Sequence, residues 1–210
     1  MKIFGSLISP YVRKVHVVAA EKGIAVESAP ANPRDPSPEF AAASPFRKIP
    51  AMMDGDFGLP DSTAIVSYMD ALQPSPALIS GDAKQRARAV WFEEFADTIL
   101  FGAGIKVVFN RFVAPMLGMQ GNVELAEQGE AELVPILEYL ESVAPAEGWL
   151  AGADCSIGDI SVACMLKSLN YVRLTPDPDT HPRSAAWFAR VAARPAWQAV
   201  AETEAKSLQR

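Results

Sequence analysis

Three short segments carry side chains and backbone groups whose types and spacing could do chemistry. In Ser9-Pro10-Tyr11-Val12-Arg13-Lys14 a hydroxyl stands directly before a proline. Serine at an N-cap with proline at the first helical position reads as a helix start. Unpaired backbone N–H groups and the positive dipole end gather there, so the place favours an anion. An ordinary cap has the same signature, and Ser6 is a competing hydroxyl in the same loop. In Ser44-Pro45-Phe46-Arg47-Lys48-Ile49-Pro50 a proline follows Ile49 just ahead of a strand-like run. A cis Ile49–Pro50 bond would turn the Ile49 N–H and C=O outward as a free edge pair for an extended ligand, whereas a trans edge proline is the commoner alternative. In Leu59-Pro60-Asp61-Ser62-Thr63-Ala64-Ile65 the Asp-Ser pair enters a helix. Ser62, with its own N–H, can receive a carboxylate and Asp61 an ammonium group, although both types are also common caps. An anion-favouring hydroxyl, a backbone edge and a receiver for both ends of an amino acid together describe a site for a small peptide.

These segments need a framework to hold them. Lys2 to Gly5 reads as a short strand, and a helix from Ser9-Pro10 to about Lys22 carries Val12, Val15, Val18 and Ala19 on one face. Gly23 supplies a C-terminal stop before a second strand at Ile24 to Ala29, which makes a βαβ unit. A loop at Asn32-Pro33-Arg34-Asp35-Pro36, one or two helical turns at Pro38 to Ala43, and a loop bracketed by Pro45 and Pro50 follow. Ala51 to Met53 and Phe57 to Leu59 flank Asp54-Gly55-Asp56 as a hairpin, and Ser62 to Leu72 is helical through Ile65, Met69 and Leu72. The order is βαβαββα. Gln73-Pro74-Ser75-Pro76 reads as an interdomain linker, so the expected domains are residues 1–78 and 84–210. From Asp82 onward the pattern is helical only, broken at Pro115 to Asn122, Pro145 to Cys155, Thr175 to Pro182 and near Pro195. Within it Ser156-Ile157-Gly158-Asp159 is a close variant of the capping box, with Asp159 at N3 and Cys155 and Ile160 as its staple. That motif speaks for fold rather than chemistry.

Half of the 210 residues are hydrophobic, enough for one good-sized core or two modest ones. The formal charge is −6, and residues 1–80 hold seven Lys/Arg against eight Asp/Glu while residues 81–210 hold twelve against seventeen. Neither part is basic, so nucleic acid is not an expected partner. No run of about eighteen apolar residues appears, and MKIFGS is not a basic segment leading into an apolar stretch, so the expected location is cytoplasmic, with no membrane partner. Cys155 and Cys164 are nine positions apart along one helix and its entry, too far to bridge, and read as reduced packing residues. The histidines, His16 and His181, lack partners at ligand spacing, so no metal site is expected.

The sequence of a Ser-Pro helix start, an Ile-Pro before a strand, an Asp-Ser helix entry and a Ser-Ile-Gly-Asp capping box resembles the cytosolic glutathione S-transferase superfamily over nearly the whole chain. Ser9-Pro10-Tyr11 is most similar to the Ser-Pro-Phe start of serine-type members, here read as bacterial. The resemblance implies the family's fold: a thioredoxin-like α/β N-terminal domain followed by an all-α C-terminal domain. It implies glutathione as co-substrate, with Ser9 as the catalytic hydroxyl and Ile49, ahead of Pro50, pairing by its backbone with the cysteinyl unit. Asp61 and Ser62 would hold the γ-glutamyl end, and Lys48 would lie near the glycyl carboxylate. Tyr11 and the first long helix of the second domain, with Phe101, Ile105, Phe109, Phe112 and Met116, would offer an electrophile its apolar surface, although ordinary helix core is the preferred reading for most of the residues on that helix. A homodimer is carried over as the family's usual state. Two departures stand out: Arg47 occupies a position where glycine is frequent, and Pro60 directly precedes the Asp-Ser pair.

The activity so implied is that of a detoxifying glutathione transferase, in which Ser9 keeps the glutathione sulfur as thiolate for attack on a small hydrophobic electrophile. Omega-like members carry Cys-Pro-Phe at this place, and a serine cannot enter a disulfide, so transfer is favoured over thiol exchange. An isomerase, peroxidase or dehalogenase would use the same thiolate. A non-catalytic binding module would use the fold alone, and it would not need Ser9, Ile49-Pro50 and Asp61-Ser62 together.

Overall fold

The computed structural model describes residues 1–208, in two units: Met1–Ile79 together with the chain from Ala193, and Ser80–Ala192. The first unit runs β1 (Lys2–Phe4), α1 (Pro10–Glu21), β2 (Glu27–Ala29), α2 (Pro38–Ala43), β3 (Ala51–Asp54), β4 (Phe57–Pro60) and α3 (Ser62–Leu72), the predicted βαβαββα order. Its sheet is ordered β2-β1-β3-β4. β1 lies parallel to β2, with α1 as the crossover that parallel pairing requires, and β3 lies antiparallel to β1 and β4.

Helix α1 ends in a Schellman closure. Gly23, at φ +64, donates from its N–H to the Ala20 carbonyl, and the Ile24 N–H donates to the Ala19 carbonyl. The closure occupies Ile24, so β2 begins at Glu27 rather than at Ile24 as the sequence predicts. The predicted face of α1, Val12, Val15, Val18 and Ala19, is fully buried. Arg13, Lys14 and His16 are buried too, because α1 packs against α3 and also against the last helix of the chain, Pro195–Leu208.

That last helix corrects the expected domain division. The boundary at Ile79 lies close to the predicted linker, but the chain from Ala193 joins the first unit rather than the second domain expected over 84–210. Packing of this helix on α1 is the physical reason, and two ion pairs fix its placement: Arg13 meets Glu204 at 2.7 Å and Arg194 meets Glu21 at 2.6 Å. Trp197 and Val200 are buried alongside. The linker is pinned in the same way, since the buried Lys22 ammonium donates to Asp70 and to the carbonyls of Gln73 and Pro76.

The second unit comprises α4 (Ala83–Met116), α5 (Val123–Val143), α6 (Ile157–Asn170) and α7 (Pro182–Ala192), and the Pro195–Leu208 helix of the first unit is α8. Helix α4 is 34 residues long and contains two π-helical stretches, Phe95–Leu100 and Phe109–Val113. By length and composition it could cross a membrane, which the sequence reading did not anticipate. In the structure it packs against α5 and α6. A Cβ at Gly129 of α5 would lie 2.7 Å from the Ala103 carbonyl oxygen, so only glycine permits that approach. The capping box is present, with Asp159 at N3, and Asp159 does more than cap. Its fully buried carboxylate accepts from Ser156 N–H and O–H, from Leu150 N–H and from Trp187 Nε1–H, at 2.8–3.0 Å.

Candidate functional site

The sheet register brings the three chemical segments to one place. Phe4 pairs with Ala51, and Ala51 with Pro60, so the end of β1, the start of β3 and the end of β4 form one row. The chain that leaves this row carries Gly5 to Ser9, Lys48 to Pro50 and Asp61 to Ser62. Gly5, at φ +134, lets the first two touch: a Cβ there would lie 2.5 Å from Val12 Cγ2 and 3.1 Å from Ile49 Cβ.

Ser9 occupies the N-cap of α1 with Pro10 following, yet its side chain makes no capping hydrogen bond. Its backbone is fixed on both sides, the N–H donating to Ser6 O and the C=O accepting from Arg13 N–H, each at 3.0 Å. The half-buried hydroxyl stands at a helix N-terminus without being spent on the helix. Ser6 is exposed, and its Oγ accepts from Ile8 N–H at 3.4 Å, a long contact.

The Ile49–Pro50 bond is cis. The ladder of β3 begins at Ala51, which leaves Ile49 outside it, while the Ile49 side chain packs against the core of Phe4, Ala29, Phe40, Ala43 and Ala51. Its main chain is what remains for a ligand. Ser44 braces the preceding loop, donating from Oγ to Lys48 O at 2.8 Å and accepting from Lys48 N–H at 2.9 Å. Arg47 sits at φ +56, a left-handed conformation that costs a non-glycine residue about 1–2 kcal/mol. The exposed Lys48 follows it.

Asp61 is the N-cap of α3, with Oδ1 accepting from Thr63 N–H at 2.9 Å and Ala64 N–H at 3.1 Å. Its φ of +78 is strained for a residue with a Cβ, and such strain gathers at functional sites. The carboxylate is exposed, and Ser62, the first helical residue, is buried. Tyr11 is half-buried in the first turn of α1.

In the second unit the reading of the α4 aromatics as helix core does not match the structure. The buried face of this stretch is Ala103, Gly104, Val107 and Val108, small or β-branched residues that suit the close approach of α5 at Gly129. Phe101 and Ile105 are half-buried, and Phe109 and Met116 are exposed. Phe112 stacks on Tyr171 with ring centroids 4.3 Å apart, and the Lys167 ammonium lies 5.4 Å from the Tyr171 centroid.

Sequence reasoning missed the pairing of Arg13 with Glu204. The two lie 191 positions apart, so no local spacing could join them. The available signal was a charge at Arg13 beside the apolar face begun by Val12 and Val15.

Residues 3–77 match the family described as glutathione S-transferase, N-terminal domain, and residues 105–195 match glutathione S-transferase, C-terminal domain. The chain is similar to glutathione S-transferase 4 of Zea mays, 30% identical over 206 residues that cover 96% of this chain and 92% of the relative. It is also 30% identical to a glutathione S-transferase of Hyoscyamus muticus over 208 residues, covering 96% and 98%. Among solved structures, glutathione S-transferase I from maize in complex with an atrazine glutathione conjugate has a TM-score of 0.85, 25% identity and 97% coverage of both chains. A glutathione S-transferase from Rhodospirillum rubrum F11 has a TM-score of 0.84 and 26% identity, covering 95% of this chain and 90% of that one.

Proposed function

The chain belongs to the glutathione S-transferase family of enzymes, and on that premise we propose that Ser9 activates glutathione by donating a hydrogen bond to its sulfur, leaving a thiolate that attacks a small hydrophobic electrophile. The observation that carries this reading is the Ser9 hydroxyl, at the N-terminus of α1 but making no capping bond to it.

The energetics are sufficient. A free cysteine thiol has a pKa of about 8.5, so about 3% is thiolate at pH 7. A hydrogen bond to a charged group contributes about 1.5–3 kcal/mol, and one pKa unit is about 1.4 kcal/mol. Ser9 with the helix terminus can therefore lower the thiol pKa by about one to two units and raise the thiolate to tens of per cent. The serine also favours transfer over thiol exchange, since it donates a hydrogen bond but forms no mixed disulfide.

The rest of the tripeptide is assigned to the same end of the sheet. The main chain of Ile49, ahead of Pro50, pairs with the cysteinyl unit. Asp61 receives the γ-glutamyl ammonium and Ser62 its carboxylate, and the exposed Lys48 serves the glycyl carboxylate. For the electrophile, Tyr11 and the partly exposed Phe101, Ile105 and Phe109 offer apolar surface. Ser9 is the ground for a serine-type assignment; the Zea mays and Hyoscyamus muticus relatives are plant proteins rather than bacterial ones. We take the protein to act in the cytoplasm as a homodimer, as its family does.

Retention on immobilised glutathione, followed by conjugation of a chlorinated dinitrobenzene, tests the proposal. The protein should be retained and should turn over, and Ser9→Ala should keep its glutathione affinity while turnover at pH 7 falls about tenfold or more. Unchanged turnover in Ser9→Ala contradicts the assignment of Ser9. Retention without conjugation by the parent protein would favour the isomerase, peroxidase or dehalogenase chemistries or a binding module.

A further inference from the structure

Helix α1 is apolar where it meets the sheet, yet Arg13, one turn after Ser9, is 2% exposed, and its partner Glu204 on α8 is 1% exposed. The guanidinium Nε donates to Glu204 Oε2 at 2.7 Å. From the same group, Nη2 reaches back to the carbonyl oxygen of Ile8 at 3.4 Å, a long contact to the residue directly before Ser9. The Arg13 backbone N–H also donates to the Ser9 carbonyl at 3.0 Å. One residue thus touches the chain on both sides of the Ser9 N–H.

Burying an ion pair is a poor way to gain stability, because desolvation cancels much of the attraction and apolar replacements often do as well. A planar guanidinium does offer several donors in a rigid fork, so it can fix a carboxylate and a carbonyl at one time. The loop it reaches is short. Gly5 is tied to β2 through its N–H to Ala29 O, and Ser9 is tied to Ser6. Between these ties, the Ile8 carbonyl is where Arg13 can set the direction of the peptide that leads into Ser9.

We propose that the Arg13–Glu204 pair is a positioning device for the Ser9 hydroxyl, through which the C-terminal helix α8 sets the aim of that hydroxyl at the glutathione sulfur. Arg13 and Glu204 are positioning residues and touch neither substrate. The inference rests on the assignment of Ser9 given above and adds to it a distant element on which that site depends.

The test compares the full-length protein with three variants: Glu204→Gln, Glu204→Asp, which keeps the charge with a shorter reach, and Arg13→Met combined with Glu204→Met, which replaces the pair by apolar groups. Each is checked for folding by thermal unfolding, then titrated for thiolate absorbance of bound glutathione and assayed with the chlorinated dinitrobenzene across pH. In the folded variants the thiol pKa should rise by about 0.5–1 unit and kcat at pH 7 fall about 3–10-fold, while KM for glutathione stays within about twofold. The double Met variant should regain unfolding temperature without regaining the low thiol pKa. A folded variant with parental thiol pKa and kcat overturns the inference and leaves the pair a structural brace. If Ser9→Ala itself leaves the titration unmoved, the Ser9 assignment fails; if Ser9→Ala moves it and the pair variants do not, the positioning role alone fails.

Discussion

At Ser9 the deciding detail is a missing bond rather than a present one. A serine N-cap ordinarily accepts from a backbone N–H two or three residues on, and Ser9 does not. Ser9→Cys provides a chemical counterpart: a thiol there should form a mixed disulfide with oxidised glutathione, seen as a mass increase that dithiothreitol reverses, whereas the parent should show none. Arg47 carries a second residue-scale prediction. At φ +56 it should be relieved by Arg47→Gly, raising stability by about 1 kcal/mol in urea unfolding; a loss would mean that the side chain matters more than the backbone. His16 carries a third. It is buried with Nε2 unpartnered, and burial lowers its pKa below the ordinary histidine value. A depressed pKa in the folded state means that the unfolded state takes up the proton more readily. The stability contribution is therefore complete above about pH 6.5 and falls as pH drops below it, by at most about 1.4 kcal/mol per pH unit. His16→Leu should flatten that acid limb. Ser9, Ile49-Pro50 and Asp61-Ser62 were legible because caps and prolines act on their immediate neighbours. The positive φ of Asp61 was not, since nothing local requires it.

Elements followed the sequence wherever a local signal and a packing need agreed. The Pro38–Ala43 and Ser62–Leu72 helices lie where proline, caps and apolar spacing put them. β2 is shorter than its apolar run because the Gly23 closure takes Ile24, a competition between two local signals that periodicity alone does not resolve. The α4 aromatics were ambiguous for a different reason. Which face of a helix is core depends on its neighbours, and here Gly104 and Gly129 admit close helices and leave the rings at the margin. Asp159 is the element-scale prediction. Four donors converge on one buried carboxylate, joining the Leu150 loop, the start of α6 and Trp187 of α7. Asp159→Ala leaves buried donors without an acceptor and should cost about 3–5 kcal/mol. Urea unfolding measures it, and a cost under about 1 kcal/mol would show that those bonds are readily replaced by water.

Across the whole molecule, the division into an α/β part and a helical part was legible from the prolines at Gln73-Pro74-Ser75-Pro76, but the return of α8 to the first unit was not. That return is made by contacts between residues far apart in sequence: the packing of α8 on α1 and the pairs Arg13 with Glu204 and Arg194 with Glu21. Ending the chain after Ala192 would uncover the Arg13 side of α1 and remove the burial of Trp197 and Val200, and should destabilise the first unit by about 3 kcal/mol or more. Every functional assignment nevertheless returns to one hydroxyl and one sulfur. The most direct measurement is a titration of thiolate absorbance for glutathione bound to the intact protein and to Ser9→Ala. The bound thiol should ionise about one to two pH units below free glutathione in the parent and return most of the way in Ser9→Ala; the same depressed midpoint in both proteins would contradict the account.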